Sequence, residues 1–155
     1  MCSSILYAYN SMQPAKYFTG LSARAKKTRR NEIRKFGSMS WKSAKAYVGF
    51  KTDKGVRTKP SGYTQRWKAK FPDAKSLSEK AKATGVPLRY IRKSYNRGMA
   101  AWRTGHRPGA TQEQWGYARV HSFLMKGKTY RTTDSDLVRA AKKTASARRW
   151  WSKAL

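Results

Sequence analysis

The stretch SLSEKAKATGVPLRYIRKSYNRG, residues 76–98, reads as two helices joined at a tight corner. Ser76 and Glu79 have the Ser-x-x-Glu spacing of a capping box, in which each side chain satisfies a backbone N–H at a helix start. The helix they open carries Leu77 and Ala81 on one face. Gly85 closes it, because a helix ending in a left-handed residue favours glycine there. Pro87 opens a second helix from a first-turn position, where its missing N–H removes no hydrogen bond. Leu88, Ile91 and Tyr95, three and four residues apart, give that helix its apolar face. The order is that of a helix-turn-helix unit. Its second helix offers Arg89, Arg92, Lys93, Asn96 and Arg97, side-chain types that meet phosphates and base edges. Lys80 stands where such units carry an apolar residue. The same corner also serves as a packing device in ordinary helical domains, so the layout alone does not define a DNA reader.

Outward from this corner the chain remains helical. Residues 21–36, LSARAKKTRRNEIRKF, predict a helix with Ser22 as N-cap and a narrow stripe of Leu21, Ala25, Ile33 and Phe36. Arg24, Lys26, Lys27, Arg29 and Arg30 cover the remainder as a phosphate-contacting surface. AYVGF and VRTKP, on either side of TDKG, fit a short hairpin with Asp53 to Gly55 in the turn. TQRWKAKF predicts a short helix with Trp67 and Phe71 inward. Residues 99–102 extend the helix of the corner, and RTGHRPG forms a turn-rich loop carrying Arg103 and Arg107. Thr111 to Met125 predicts another helix, in which Gly116 permits close packing. KGKTYRTT reads as a linker or short strand. Residues 134–151 predict a last helix with Asp134 and Asp136 at its positive end, a stripe of Leu137, Ala141 and Ala145, and a basic face of Arg139, Lys142, Lys143 and Arg149. The expected fold is mainly α: an irregular strap over residues 1–20, then one compact basic helical domain over 21–155 with room for one short hairpin.

Charge then decides the class of partner. Thirty-six Lys and Arg face seven Asp and Glu, for a net charge of +29. Solubility alone asks for a net magnitude of about 2–8 in a small domain, and self-repulsion on this scale opposes a compact state. A dense polyanion relieves it, and nucleic acid also contributes the release of condensed counterions. The cations are spread along the whole chain and not gathered in a tail. With 13% aromatic residues, six of them Trp, the chain has the means to build a core that a disordered polycation lacks. The mean hydropathy of −0.86 keeps that core thin.

The composition narrows the chemistry. The single cysteine, Cys2, excludes an intramolecular disulfide and a cysteine metal site. No stretch approaches the roughly 18 apolar residues of a membrane span, and residues 1–9 lack the charged start of a secretory signal. Few carboxylates remain for a catalytic Mg²⁺ once helix starts have taken theirs. The sharpest enzymatic constellation is a nuclease-like set of His106, His121 and Glu113 beside Arg107 and Arg119, which matches no zinc spacing. The expectation is a non-enzymatic protein without cofactor, metal or small-molecule substrate.

The blocks YNRGMAAWRTGHRPGATQEQWGYARVHSF and GKTYRTTDSDL, preceded by PAKYFTGLS and TDKGVRTKPSGYT, resemble an uncharacterised family of small basic proteins from large algal DNA viruses and marine tailed phages. The resemblance covers residues 14–140. It implies a viral origin and carries no activity or site. With the charge, it leads to a genome-associated nucleic-acid-binding protein, DNA favoured over RNA, in the virus particle or the infected cell and not secreted. The alternative is a minor capsid protein with a basic genome-facing side, whose anchors would be exposed tryptophans such as Trp41, Trp67, Trp150 and Trp151. A sequence-specific regulator acting through the helix-turn-helix-like corner is a further reading.

Overall fold

The computed structural model describes residues 15–40, 42–47, 49–55, 57, 59–105, 110–153 and 155. Residues 1–14, most of the predicted strap, lie outside them. Among the described residues there are eight α-helices and no strand: α1 Ala23–Gly37, α2 Gly62–Lys70, α3 Leu77–Thr84, α4 Leu88–Gly105, α5 Gln112–Leu124, α6 Lys128–Arg131, α7 Ser135–Ala141 and α8 Ala145–Ser152. The chain divides into two compact units. The first comprises residues 1–58 with 100–112, the second residues 59–99 with 113–155.

In the first unit, Ser22 caps α1 by accepting from the Ala25 N–H at 3.2 Å. Its core is Phe18, Ile33 and Phe50, flanked by Tyr17 and Phe36. The expected hairpin is not formed by the described residues. Ala44–Tyr47 and Lys51–Asp53 are short 3₁₀ helices, while Val48, Val56 and Thr58 lie outside the described residues. The turn itself is present, with Gly55 at φ +76°. Side chains of α1 hold this segment: Glu32 accepts from the Lys51 N–H at 2.7 Å and from the Thr52 hydroxyl, and Arg29 pairs with Asp53. Trp102 is buried, and its indole N–H donates to the Ala110 carbonyl at 2.7 Å.

The second unit contains the larger core, built from Trp67, Val86, Ile91, Val120, Phe123, Leu124, Leu137, Val138, Ala141, Trp150 and Trp151 among others. Three tryptophans reach it with their polar edges satisfied, as buried indoles require. Trp67 donates to the Ala74 carbonyl, and Trp150 and Trp151 both donate to the Leu124 carbonyl at the end of α5. Gly98 on α4 and Gly116 on α5 mark a close crossing, since a Cβ on Gly98 would stand 2.8 Å from the Gly116 Cα.

Two expected elements differ. KGKTYRTT supplies the short helix α6 and no strand. The last helix is broken: α7 ends at Ala141, Thr144 is extended at φ −87° and ψ 139°, and α8 begins at Ala145. The break has a packing cause. At about 100° per residue, one straight helix would point Leu137, Val138 and Ala141 roughly 130° away from Ala147, Trp150 and Trp151. All six are buried, so the chain must be re-aimed between them. Ala145, expected in the stripe, is exposed.

Candidate nucleic-acid interface

The corner at residues 76–98 forms as its spacing indicates. Ser76 Oγ accepts from the Glu79 N–H and the Glu79 carboxylate accepts from the Ser76 N–H, completing the capping box. Gly85 has φ +79° and its N–H closes α3 onto the Ala81 carbonyl. Val86 is buried directly after it. The buried side of α3 includes Lys80 and Thr84 beside the half-buried Leu77 and Ala81. Lys80, the apparent misfit, is 2% exposed. Its ammonium donates to the carbonyls of Ala74 at 2.6 Å and Lys75 at 2.9 Å and lies over the rings of Trp67 and Tyr117. Burial lowers its pKa to about 8.

On α4 the helical period separates two faces. Ile91, Ser94 and Gly98 are buried, and Arg89, Arg92, Lys93 and Asn96 are exposed. At about 100° per residue the exposed four fall within an arc of roughly 100° opposite the buried three. Arg89 packs 4.7 Å over the ring of Tyr90 and donates to its hydroxyl at 3.0 Å. Among the described residues, no ion pair engages Arg89, Arg92 or Lys93.

Arg97 differs from these four in being engaged by carboxylates. Its guanidinium forks onto Asp136 at 2.9 and 2.7 Å and also donates to Asp134 and the Thr133 carbonyl. These carboxylates hold its pKa above the usual arginine value, while Arg97 holds Asp136 well below the usual carboxylate range. Asp134 is fully buried and accepts from Ser94 at 2.8 Å and from Arg119 at 2.8 and 3.1 Å as well. The two acids read as helix-dipole partners thus act mainly as a clamp on the inner face of α4.

The remaining sites divide by unit. On α1, Arg24, Lys27 and Arg30 are exposed and Lys26 is half-buried. Arg29 is fully buried against Asp53 and the Phe50 ring and cannot meet a phosphate. Its position was legible after all: Ala25, Arg29 and Ile33 are four apart, which puts Arg29 inside the apolar stripe. In the second unit, Arg139, Lys142, Lys143 and Arg149 are exposed. Arg148 and Lys82 are exposed too. Arg148 donates to the carbonyls of Lys142 and Lys143 and ties the α7–α8 corner. Arg107 and the Arg103 side chain lie outside the described residues.

The nuclease-like constellation does not assemble among the described residues. His121 is 3% exposed, bonded to the Thr64 hydroxyl at 2.9 Å and stacked on Trp67. Burial, with Lys80 and Lys68 nearby, lowers its pKa to about 3, so the ring is neutral. Arg119 is held by Asp134, while His106 and Arg107 lie outside the described residues. No group of three His, Cys, Asp or Glu among the described residues could hold a metal ion, and no described helix is long and apolar enough to cross a membrane.

The molecule is thus a small basic helical protein with a rigid helix-turn-helix-like corner and a cationic outer face on its second helix. The chain belongs to a family of unknown function, DUF5824, whose model matches residues 14–140. Neither the curated proteins nor the solved structures yield a match.

Proposed function

We propose that this protein binds nucleic acid, without catalysis, as a genome-associated protein of a virus. The observation that carries the reading is the outer face of α4, where Arg89, Arg92, Lys93 and Asn96 project together from a capped, fixed corner and where, among the described residues, no carboxylate pairs with Arg89, Arg92 or Lys93. Arg139, Lys142, Lys143 and Arg149 add exposed charge to the same unit. The burial of His121 and the engagement of Arg119 by Asp134 support a non-catalytic role. The viral setting rests on the sequence blocks within residues 14–140. The capsid alternative draws less support, because Trp67, Trp150 and Trp151 are 1%, 3% and 4% exposed and serve the core. Trp41 lies outside the described residues.

Fluorescence anisotropy with labelled DNA across a salt series tests this reading. If 6–10 phosphates are neutralised, affinity falls roughly 10³–10⁵-fold between 50 and 200 mM salt. Affinity that does not change with salt overturns it.

A further inference from the structure

We infer that the polyanion is double-helical DNA of B form and that the outer face of α4 enters its major groove; this rests on the nucleic-acid reading above. The first observation concerns aromatics. Every aromatic side chain that the structure describes is buried or half-buried, and none is exposed, in a chain that is 13% aromatic. Proteins that hold single strands stack the bases on exposed aromatic rings set in a cationic groove. The described surface offers cations without such platforms. That surface suits a nucleic acid whose bases are already stacked on one another.

The second observation is the shape and chemistry of the face. Arg89, Arg92, Lys93 and Asn96 lie on one arc of a helix that follows directly on a tight turn. From residue 89 to 96 the helix rises about 10.5 Å, the length of roughly three stacked base pairs at 3.4 Å each. The major groove of B-form DNA admits a helix, whereas the deep, narrow major groove of A-form RNA does not. Arg and Lys suit the O6 and N7 acceptors of guanine, and Asn suits the N6 and N7 edge of adenine. Arg89, stacked on Tyr90, is steered by its own neighbour.

The third observation is that the helix is fixed on both sides of this face. Before it, the Ser146 hydroxyl donates to the Gly85 carbonyl at 2.7 Å. At its far end, Ser94 and Arg97 are bonded to the buried Asp134. A recognition helix held in this way loses little backbone freedom on docking, which favours specific contact over loose electrostatic adhesion.

The full chain is titrated at one fixed salt concentration against a 20-base-pair DNA duplex containing G and A steps, the matching RNA duplex and each DNA strand alone. The DNA duplex is expected to bind at least tenfold tighter than the others, with guanine N7 protected from dimethyl sulfate. Arg92→Ala and Asn96→Ala, both at exposed positions, are expected to lower duplex affinity about tenfold each while leaving the circular dichroism spectrum unchanged. Equal affinity for all four probes with a normal salt slope overturns the major-groove inference and leaves nucleic-acid binding standing. Tighter binding to RNA or single strands, or an unprotected N7, also overturns it. Failure to bind any probe, or salt-independent binding, overturns the underlying reading as well.

Discussion

The hydroxyl of Ser146 donates to the carbonyl of Gly85 across 61 positions of sequence, and this 2.7 Å bond fastens the last helix to the turn between α3 and α4. Gly85 has φ +79°, and a Cβ there would lie 3.0 Å from the Ser146 Cβ. Gly85→Ala is expected to cost about 1–2 kcal/mol from the left-handed backbone alone, with crowding against Ser146 adding to it. Ser146→Ala should cost about 1 kcal/mol. Urea unfolding measures both, and a neutral Gly85→Ala contradicts the geometry.

Asp134 is the hub of the inner clamp. Its removal leaves Arg119 without its carboxylate partner and Ser94 without an acceptor in a buried setting. Asp134→Ala is expected to lose about 3–5 kcal/mol, read as a fall in denaturant midpoint. A loss under about 1 kcal/mol would show that the clamp is weakly coupled to the fold.

Outer and inner cations of α4 should separate cleanly. Arg89→Ala, Arg92→Ala and Lys93→Ala are expected to stay within about 0.5 kcal/mol of the parent stability while weakening nucleic-acid binding. Arg97→Ala should do the reverse, destabilising the protein because it deprives the fully buried Asp134 of a partner. Paired unfolding and anisotropy measurements decide this, and similar behaviour of the two groups refutes the assignment.

The α4–α5 crossing is intolerant of bulk at one glycine in particular. A Cβ on Gly98 would meet backbone, the Gly116 Cα and the Trp115 carbonyl oxygen, both at 2.8 Å. On Gly116 it would meet chiefly the Tyr95 ring, at 2.5 Å. Overpacking costs about 1–3 kcal/mol. Gly98→Ala should lie at the upper end of that range and Gly116→Ala below it, because a ring can turn and backbone cannot. The reverse order in thermal melts would be inconsistent with the crossing.

His121 gives the pH dependence a sign. Its folded-state pKa of about 3 lies below an unfolded value of about 6.5. Between these values the unfolded chain binds a proton that the folded chain does not, so stability falls as pH falls through that window, by roughly 1.4 kcal/mol per pH unit at most. The groups in contact with the ring, Thr64, Trp67 and Tyr117, and the nearby Lys80 and Lys68 offer no carboxylate to reverse this. Denaturant midpoints from pH 7 to pH 4 should fall in the parent and fall less in His121→Gln.

The corner at 76–98 was legible because its signals are local: a cap four residues long, a glycine at a left-handed position, a proline at a helix start. The exposed set Arg89, Arg92, Lys93 and Asn96 followed from the period of the helix alone. The pairing of Arg97 was not legible because its partners, Asp134 and Asp136, lie nearly forty positions away and were already accounted for as helix-dipole partners. Lys80 shows the same limit in reverse. A lysine on an apolar face looks like a misfit until two carbonyls and two rings, some of them remote in sequence, close around it. The break at 142–144 depends on which sides of Ala141 and Trp150 find core, a fact of tertiary packing that no local stripe carries. The division into two units likewise follows from long-range assembly, since residues 100–112 join a segment that ends more than forty positions earlier.

Five of the seven carboxylates are engaged inside the protein or at its caps: Glu32, Asp53, Glu79, Asp134 and Asp136. Purification will feel the consequence first. If it binds polynucleotides as proposed, protein released from a lysed cell has few unpaired surface acids to moderate that attraction, so it should emerge coated with them, its ultraviolet absorbance displaced toward 260 nm. On that proposal the naked polypeptide is a laboratory state, reached by high salt or nuclease treatment, and its solubility belongs to the coat as much as to the chain.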